Sequence, residues 1–400
     1  MQAEVIAIGD EITTGQRLDT NSQWLSQRLT ELGVQVAFHT TIGDDLDDNV
    51  AAFSAAIARA DVVVATGGLG PTADDLTREA IAAATETQLV RDGESLAYIR
   101  NLFESRGRSM PARNEIQADF PAGAKPITNP HGTAPGINMT VEREGASPCT
   151  VFALPGVPAE MFEMWEATVA PAIVELQPEP VVTRHRRIKC FGAGESKLEA
   201  MLPDLIRRGR EPRVGITVSD ATITLRITAT AEDEATCFAS MEPTVVIIHE
   251  ALGNLVFGRE DDELEDAVVR LLVEQSKTVA VADLATEGLV VEWLKRASGD
   301  TSVLIAGDAG EEVWDDEFPA HEPAAAVALA ERIRSSTSAD IGLAIAGYPP
   351  EKQGPESYVA MAIALPERTK KLRFPCAAHP AIVRPRTAKQ ALNALRLLLK

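Results

Sequence analysis

Short β-branched runs alternate with segments whose apolar residues recur three and four positions apart over the first 175 or so residues. The pattern predicts a strand at 4–8, a helix at about 20–32, a strand at 34–40, a helix at 46–59, a strand at 61–65 and a helix from Leu76 to Ala84. In the first of these helices Trp24, Leu25, Leu29 and Leu32 make an amphipathic stripe, and Gly33 follows where a C-terminal glycine stops a helix. Strand and helix in alternation imply a parallel α/β sheet, whose ligands bind at the carboxyl ends of the strands.

Past residue 176 the pattern changes. Gln177-Pro-Glu-Pro180 reads as a linker, and two strand-like runs at 183–191 and 221–230, with a helix near 195–208, suggest a small α+β insert. A third α/β segment starts near 261. It comprises helices at 262–275, 285–297, 323–336 and 385–399, and strands at 277–282, 301–306, 340–346, 357–365 and 369–375. Residues 308–317, acidic around Trp314, read as a solvated loop.

Composition narrows the function classes. The 400 residues are 45% hydrophobic and 24% charged, enough to bury cores in two to four domains. A formal net charge of −21 disfavours nucleic acid as a partner, because polyanion binders concentrate Lys and Arg. The basic stretches at 184–189 and 207–213 are more simply a solvated strand and a helix end. Cys149, Cys190, Cys237 and Cys376 are too scattered for a zinc ribbon and too few for a disulfide framework. That pattern suits a reducing cytoplasm. The chain opens directly on a strand, and no run of about 18 apolar residues suggests a membrane span.

Chemistry concentrates in Thr66-Gly-Gly-Leu-Gly-Pro-Thr-Ala-Asp-Asp-Leu-Thr77, directly after a buried strand. Glycines let backbone amides approach an anion at the start of the next helix. Asp74 and Asp75 would repel a bare phosphate, so carboxylates beside such a cradle point to a bridging divalent cation. The alternative is that the two aspartates only cap the helix. Four more polar glycine loops occur in the same region: Gly9-Asp10-Glu11, Gly43-Asp44-Asp45, Asn129-Pro-His-Gly132-Thr133-Ala-Pro-Gly136 and Leu154-Pro-Gly-Val-Pro-Ala-Glu160-Met161. Each alone reads as a turn, but five in one domain could share one edge of the sheet.

These segments, in this order, together with Asp19-Thr20-Asn21 and Asn114-Glu-Ile-Gln117-Ala118, resemble the CinA family (competence/damage-inducible protein A). The resemblance implies three domains: a MoaB/MogA-like, molybdopterin-binding fold of three layers over 1–176, a small KH-like α+β domain over 181–258, and a three-layer α/β CinA domain over 261–400. It further implies an ADP-ribose pyrophosphatase in the N-terminal domain, dependent on a divalent cation (Mg, Mn or Co), giving AMP and ribose 5-phosphate. Asp44 and Asp75, with the adjacent Asp74, take the catalytic positions by that resemblance, and Asp44, Asp75, Asp10 and Glu11 are the metal candidates. Amides of Gly67, Gly68, Gly70 and Gly132 and hydroxyls of Thr72, Thr77 and Thr133 are expected to hold phosphate oxygens. Asn114 and Asn129 are further substrate contacts, and related domains imply a homodimer.

In typical members the C-terminal domain resembles a nicotinamide mononucleotide amidohydrolase whose Ala-Glu-Ser-x-Thr-Gly-Gly loop supplies a serine nucleophile. Here the loop is Ala282-Asp-Leu284-Ala-Thr-Glu287-Gly288. Leucine cannot attack a carboxamide, and Glu287 stands where a glycine would supply positive φ. The downstream Tyr-Ser pair and lysine are missing as well. The expectation is a domain that has lost this activity, kept for packing, assembly or ligand sensing. Competing readings are a pterin- or nucleotide-binding protein without hydrolase activity, an active deamidase in pyridine nucleotide recycling, and a scaffold in DNA uptake or repair. A KH-type RNA surface is disfavoured because Gly192-Ala-Gly194-Glu195 lacks the Gly-x-x-Gly spacing.

Overall fold

Five consecutive buried residues, Val62–Thr66, form the strand that leads into the glycine loop. Val62 and Val64 face one hydrophobic cluster while Val63 and Ala65 face another, as a strand covered on both sides requires. In this computed structural model, residues 1–207, 209–308, 319–349, 357–376 and 379–400 are described. The acidic stretch expected as a solvated loop therefore lies outside the described residues apart from Asp308.

The chain divides into two compact units, Met1–Arg184 with Thr230–Cys237, and His185–Ala229 with Phe238–Lys400. The first is built on strands β1 (Gln2–Ile8), β2 (Gln35–Ile42), β3 (Val62–Thr66), β4 (Leu89–Arg91), β5 (Asp119–Pro121), β6 (Lys125–Ile127), β7 (Gly136–Arg143) and β8 (Ala146–Leu154). Its main sheet runs β2-β1-β3-β8-β7-β6, while β4 and β5 form a separate antiparallel pair. Strands β2, β1, β3 and β8 are parallel, and β7 and β6 add antiparallel partners at one edge. Phe53 and Ile81, from the helices at 46–59 and 77–84, cover one face. Leu25, Leu29 and Trp165 cover the other, completing three layers.

The helix expected at 46–59 spans Leu46–Arg59, started by the Asp45 side chain accepting the Asp48 amide. The helix at Thr20–Glu31 starts likewise on Asp19.

Strands β9 (Val182–Cys190), β10 (Arg213–Ser219), β11 (Thr222–Ala231) and β12 (Val256–Arg259) form a second sheet in the order β10-β11-β9-β12. The helix expected at 195–208 stops at Met201, because Pro203 drives Leu202 out of helical geometry. A 19-residue helix, Glu234–Leu252, has no counterpart in the sequence reading. Pro243 and the β-branched run after it give this stretch a weak helical signal, and burial of Cys237, Met241, Thr244 and Ile248 on one face overrides it.

The last sheet runs β14-β13-β15-β16-β17, from β13 (Val279–Asp283), β14 (Leu304–Asp308), β15 (Ile341–Ile345), β16 (Tyr358–Ala364) and β17 (Thr369–Pro375). The first three are parallel and the last two antiparallel. Among the described residues no helix is long and apolar enough to cross a membrane. All four cysteines are buried, and none forms a disulfide among the described residues.

Candidate functional site

At the carboxyl end of β3 the backbone turns through Gly67 (φ +110°) and Gly68 (φ +64°). A Cβ on Gly67 would stand 2.3 Å from the Ile8 carbonyl oxygen, and one on Gly68 equally close to the Thr77 hydroxyl, so both positions require glycine. Three side chains lock the turn. Thr77, fully buried, donates its hydroxyl to the Gly67 carbonyl at 2.9 Å. Buried Arg78 donates to the carbonyls of Leu69 and Gly70, and burial lowers its guanidinium to about 10. Asp75 accepts the amides of Gly70 at 2.7 Å and Thr72 at 2.9 Å, and also the Thr72 hydroxyl.

The loop forms one wall of a cleft of about 590 Å³ at the ends of the strands. Asp74, Gly68 and Gly70 line it from this loop, and Glu11, Asp44 and Thr133 from other loops. Asp10 and Asp44 grip each other: the Asp10 amide donates to Asp44 Oδ2 at 3.0 Å, and the Asp44 amide to Asp10 Oδ1 at 3.1 Å. Burial raises the Asp44 carboxyl above its ordinary value; the Asp10 amide opposes this, while the negative charges of Asp10, Asp74 and Glu11 reinforce it. Glu11, Asp44 and Asp74 thus share the cleft, while Asp10 is held against Asp44 and is not among the cleft-lining residues.

Several expected contacts are committed elsewhere. The Gly67 amide donates to the Leu154 carbonyl at 3.0 Å, that of Gly70 to Asp75, and that of Gly132 to Asn129 Oδ1 at 2.8 Å. Of the four glycine amides assigned to phosphate, only that of Gly68 has no partner among the described residues. The hydroxyls of Thr72 and Thr77 are likewise occupied within the loop, whereas Thr133 lines the cleft. Asp75, expected as catalyst and metal ligand, lines the cleft and also clamps its own loop, both its oxygens accepting backbone or hydroxyl donors.

Asn114 and Asn129 act one step back from the cleft. Asn114 donates to Gln117 Oε1 at 2.8 Å, and Gln117 lines the cleft. Asn129, almost fully buried, donates to the Ala134 carbonyl and at 2.7 Å to Glu160 Oε2. A Cβ on Gly132 would fall 2.3 Å from that same Glu160 oxygen. Arg17 is a cleft residue that the sequence reading did not name, and Gln117 and Glu160 stood in its motifs without a role. Glu160 carried a signal, because it stands in the first turn of the helix Pro158–Met164 that follows the Leu154 loop.

Hard oxygen donors of this kind suit Mg²⁺ or Mn²⁺. Among the described residues no group of three or more His, Cys, Asp or Glu side chains is arranged as a ready cage for a metal ion. Glu11, Asp44 and Asp74 could offer one or two carboxylates to such a cation, which would need further oxygen ligands to complete its shell.

Residues 4–175 match the family described as "Probable molybdopterin binding domain", and residues 185–258 match "Damage-inducible protein CinA KH domain". A CinA-like protein of Frankia casuarinae is 38% identical over 400 residues, covering 94% of this chain and 91% of that protein. A putative competence-damage inducible protein of Caldanaerobacter subterraneus subsp. tengcongensis is 34% identical over 418 residues, covering 100% of this chain and 99% of that protein.

The chain belongs to the CinA family. The crystal structure of the protein CinA with unknown function from Thermoplasma acidophilum is 36% identical, covers 42% of this chain and 96% of its own, and superposes with a TM-score of 0.39.

In this CinA chain a second glycine loop follows β13. Asp283, fully buried, accepts the amides of Thr286 at 2.9 Å and Val290 at 3.1 Å, and the Thr286 hydroxyl. Its carboxyl is raised by burial against the opposing pull of those hydrogen bonds. Glu287 is left-handed at φ +51°, the backbone state expected to need glycine there. Arg384 donates to the Thr286 carbonyl at 2.7 Å and pairs with Glu287 at 3.0 Å. Leu284 packs against the apolar cluster around Leu329.

Proposed function

We propose that the N-terminal cleft hydrolyses the pyrophosphate of ADP-ribose to AMP and ribose 5-phosphate with a divalent cation. The observation that carries this reading is the meeting of an open Gly68 amide with Glu11, Asp44 and Asp74 in one cleft of about 590 Å³, a volume suited to a nucleotide. A bound cation would neutralise the two phosphoryl groups and polarise the one attacked.

The Gly68 amide and Thr133 hydroxyl hold phosphate oxygens, while Arg17 supplies the cation lining that side of the cleft. Glu160, oriented by Asn129, and Gln117, oriented by Asn114, receive ribose hydroxyls. Water oxygen bonds to one phosphorus as the bridging P–O bond breaks on its far side. The leaving phosphate takes the bonding electron pair, and the proton of water passes to the Glu11–Asp44–Asp74 set.

Purified full-length protein incubated with ADP-ribose and Mg²⁺, Mn²⁺ or Co²⁺ is expected to release AMP and ribose 5-phosphate, and Asp44→Ala to abolish it. Absence of cleavage with every cation sinks the proposal. The fold shared with molybdopterin-binding domains supports a second reading, a pterin- or nucleotide-binding protein, which fluorescence titration with a pterin tests directly. We also propose that the C-terminal domain lacks amidase activity, since Leu284 offers no nucleophile.

A further inference from the structure

The second unit contains a concavity of about 590 Å³ remote in sequence from both glycine loops. Val256, Phe257, Ala267 and Leu271 give it an apolar wall. Arg259, Arg270, Arg396, Lys400 and His249 also line it, against the carboxylates of Asp262 and Glu274. In a chain of formal charge −21, a cavity with cations in excess is a local reversal of the prevailing sign.

Part of this charge has a structural task. Arg396, 1% exposed, donates to the carbonyls of Asn254 and Val256 and to Asn393 Oδ1 rather than to a carboxylate. It also stands in the last turn of its helix, where a cation answers the negative helix end. Arg259 and Arg270 have no such role. Arg259 ends β12, and its guanidinium makes no hydrogen bond or ion pair among the described residues. Arg270 lies before the last turn of the helix Leu264–Glu274 and holds only Asp262, at 3.0 Å. The Lys400 ammonium is lowered by burial and then by the Arg396 charge, a like-charge strain that an entering anion relieves.

We propose that this concavity binds a nucleotide-sized organic phosphate, Arg259 and Arg270 taking the phosphate and the Val256–Leu271 wall taking the apolar part. Guanidinium groups match phosphate geometry in paired hydrogen bonds. Leu271, partly buried at the edge of the core, offers apolar contact to the organic part. The site is separate from the N-terminal cleft and stands whether or not that cleft hydrolyses ADP-ribose.

The test uses the full chain, AMP as probe, and phenylglyoxal labelling of arginines read peptide by peptide by mass spectrometry. With AMP held at about ten times its measured Kd, labelling of Arg259 and Arg270 is expected to fall roughly tenfold. Calorimetric binding at this site is expected to vanish in the Arg259→Ala/Arg270→Ala variant. Inorganic phosphate at the same concentration is expected to protect less, since it makes no apolar contact with Leu271. Unchanged labelling at both arginines overturns the proposal, and so does protection of Arg17 alone. Equal protection by inorganic phosphate overturns the nucleotide-sized ligand.

Discussion

In both units a buried parallel strand runs into a loop whose aspartate carboxylate gathers backbone amides: Asp75 after β3 and Asp283 after β13. The two differ in what surrounds the clamp. Around Asp75 the adjacent Asp74 stays exposed, the Gly68 amide is open, and Glu11 and Asp44 face the loop across a cleft. Around Asp283 the carboxylate is fully buried, Arg384 straps the loop to the last helix, and Leu284 joins the core. A carboxylate in a glycine loop is therefore no evidence of chemistry by itself. What matters is whether its lone pairs are already taken.

The sharpest break of this comparison is Asp44→Ala. Cleavage of ADP-ribose is expected to fall about 100-fold or more with little change in thermal midpoint, because Asp44 lies at the cleft mouth and not in a core. A variant that keeps its activity removes the first loop's claim to chemistry.

Next comes Asp283→Ala, which leaves two buried amides and a hydroxyl without an acceptor. Denaturant unfolding is expected to show a loss of about 3 kcal/mol in the second unit, with ADP-ribose cleavage intact. Asp75→Ala is expected to cost about 1–2 kcal/mol and to weaken substrate binding as the loop loosens, while metal affinity is unchanged. Loss of metal affinity in that variant would place Asp75 among the metal ligands.

The pH dependence sharpens the contrast. The folded Asp283 carboxyl sits above its unfolded value, so its contribution to stability is present below the ordinary carboxylate range and lost as pH rises through the folded value. Unfolding curves of the wild type minus those of Asp283→Asn, taken across that range, should therefore decline with rising pH. The smallest effect is expected from Leu284→Ser. It restores a hydroxyl but not the Tyr-Ser pair and lysine, so ammonia release from nicotinamide mononucleotide stays at background. Robust turnover by the wild type would overturn the inactive assignment altogether.

Strand and helix periodicity made much of the first unit legible, because covered parallel strands are continuous apolar runs and their helices carry a single stripe. The helix at 46–59 is read to the residue, since Asp45 and the apolar spacing both act locally. The helix at 234–252 was illegible for the opposite reason: Pro243 and Thr244-Val-Val-Ile-Ile248 oppose helix locally, and only burial imposes it.

The glycine loop and its family resemblance are likewise a property of the sequence alone, as is a leucine at position 284. Which amides remain open was decided in three dimensions. Gly67 pairs with Leu154, and Asp10 grips Asp44 from 34 positions away. Glu160 is turned toward the cleft by Asn129, itself 31 positions distant. The sequence states which donors and acceptors exist. Only packing determines which are already satisfied, because a hydrogen bond made inside the fold is no longer available to a ligand.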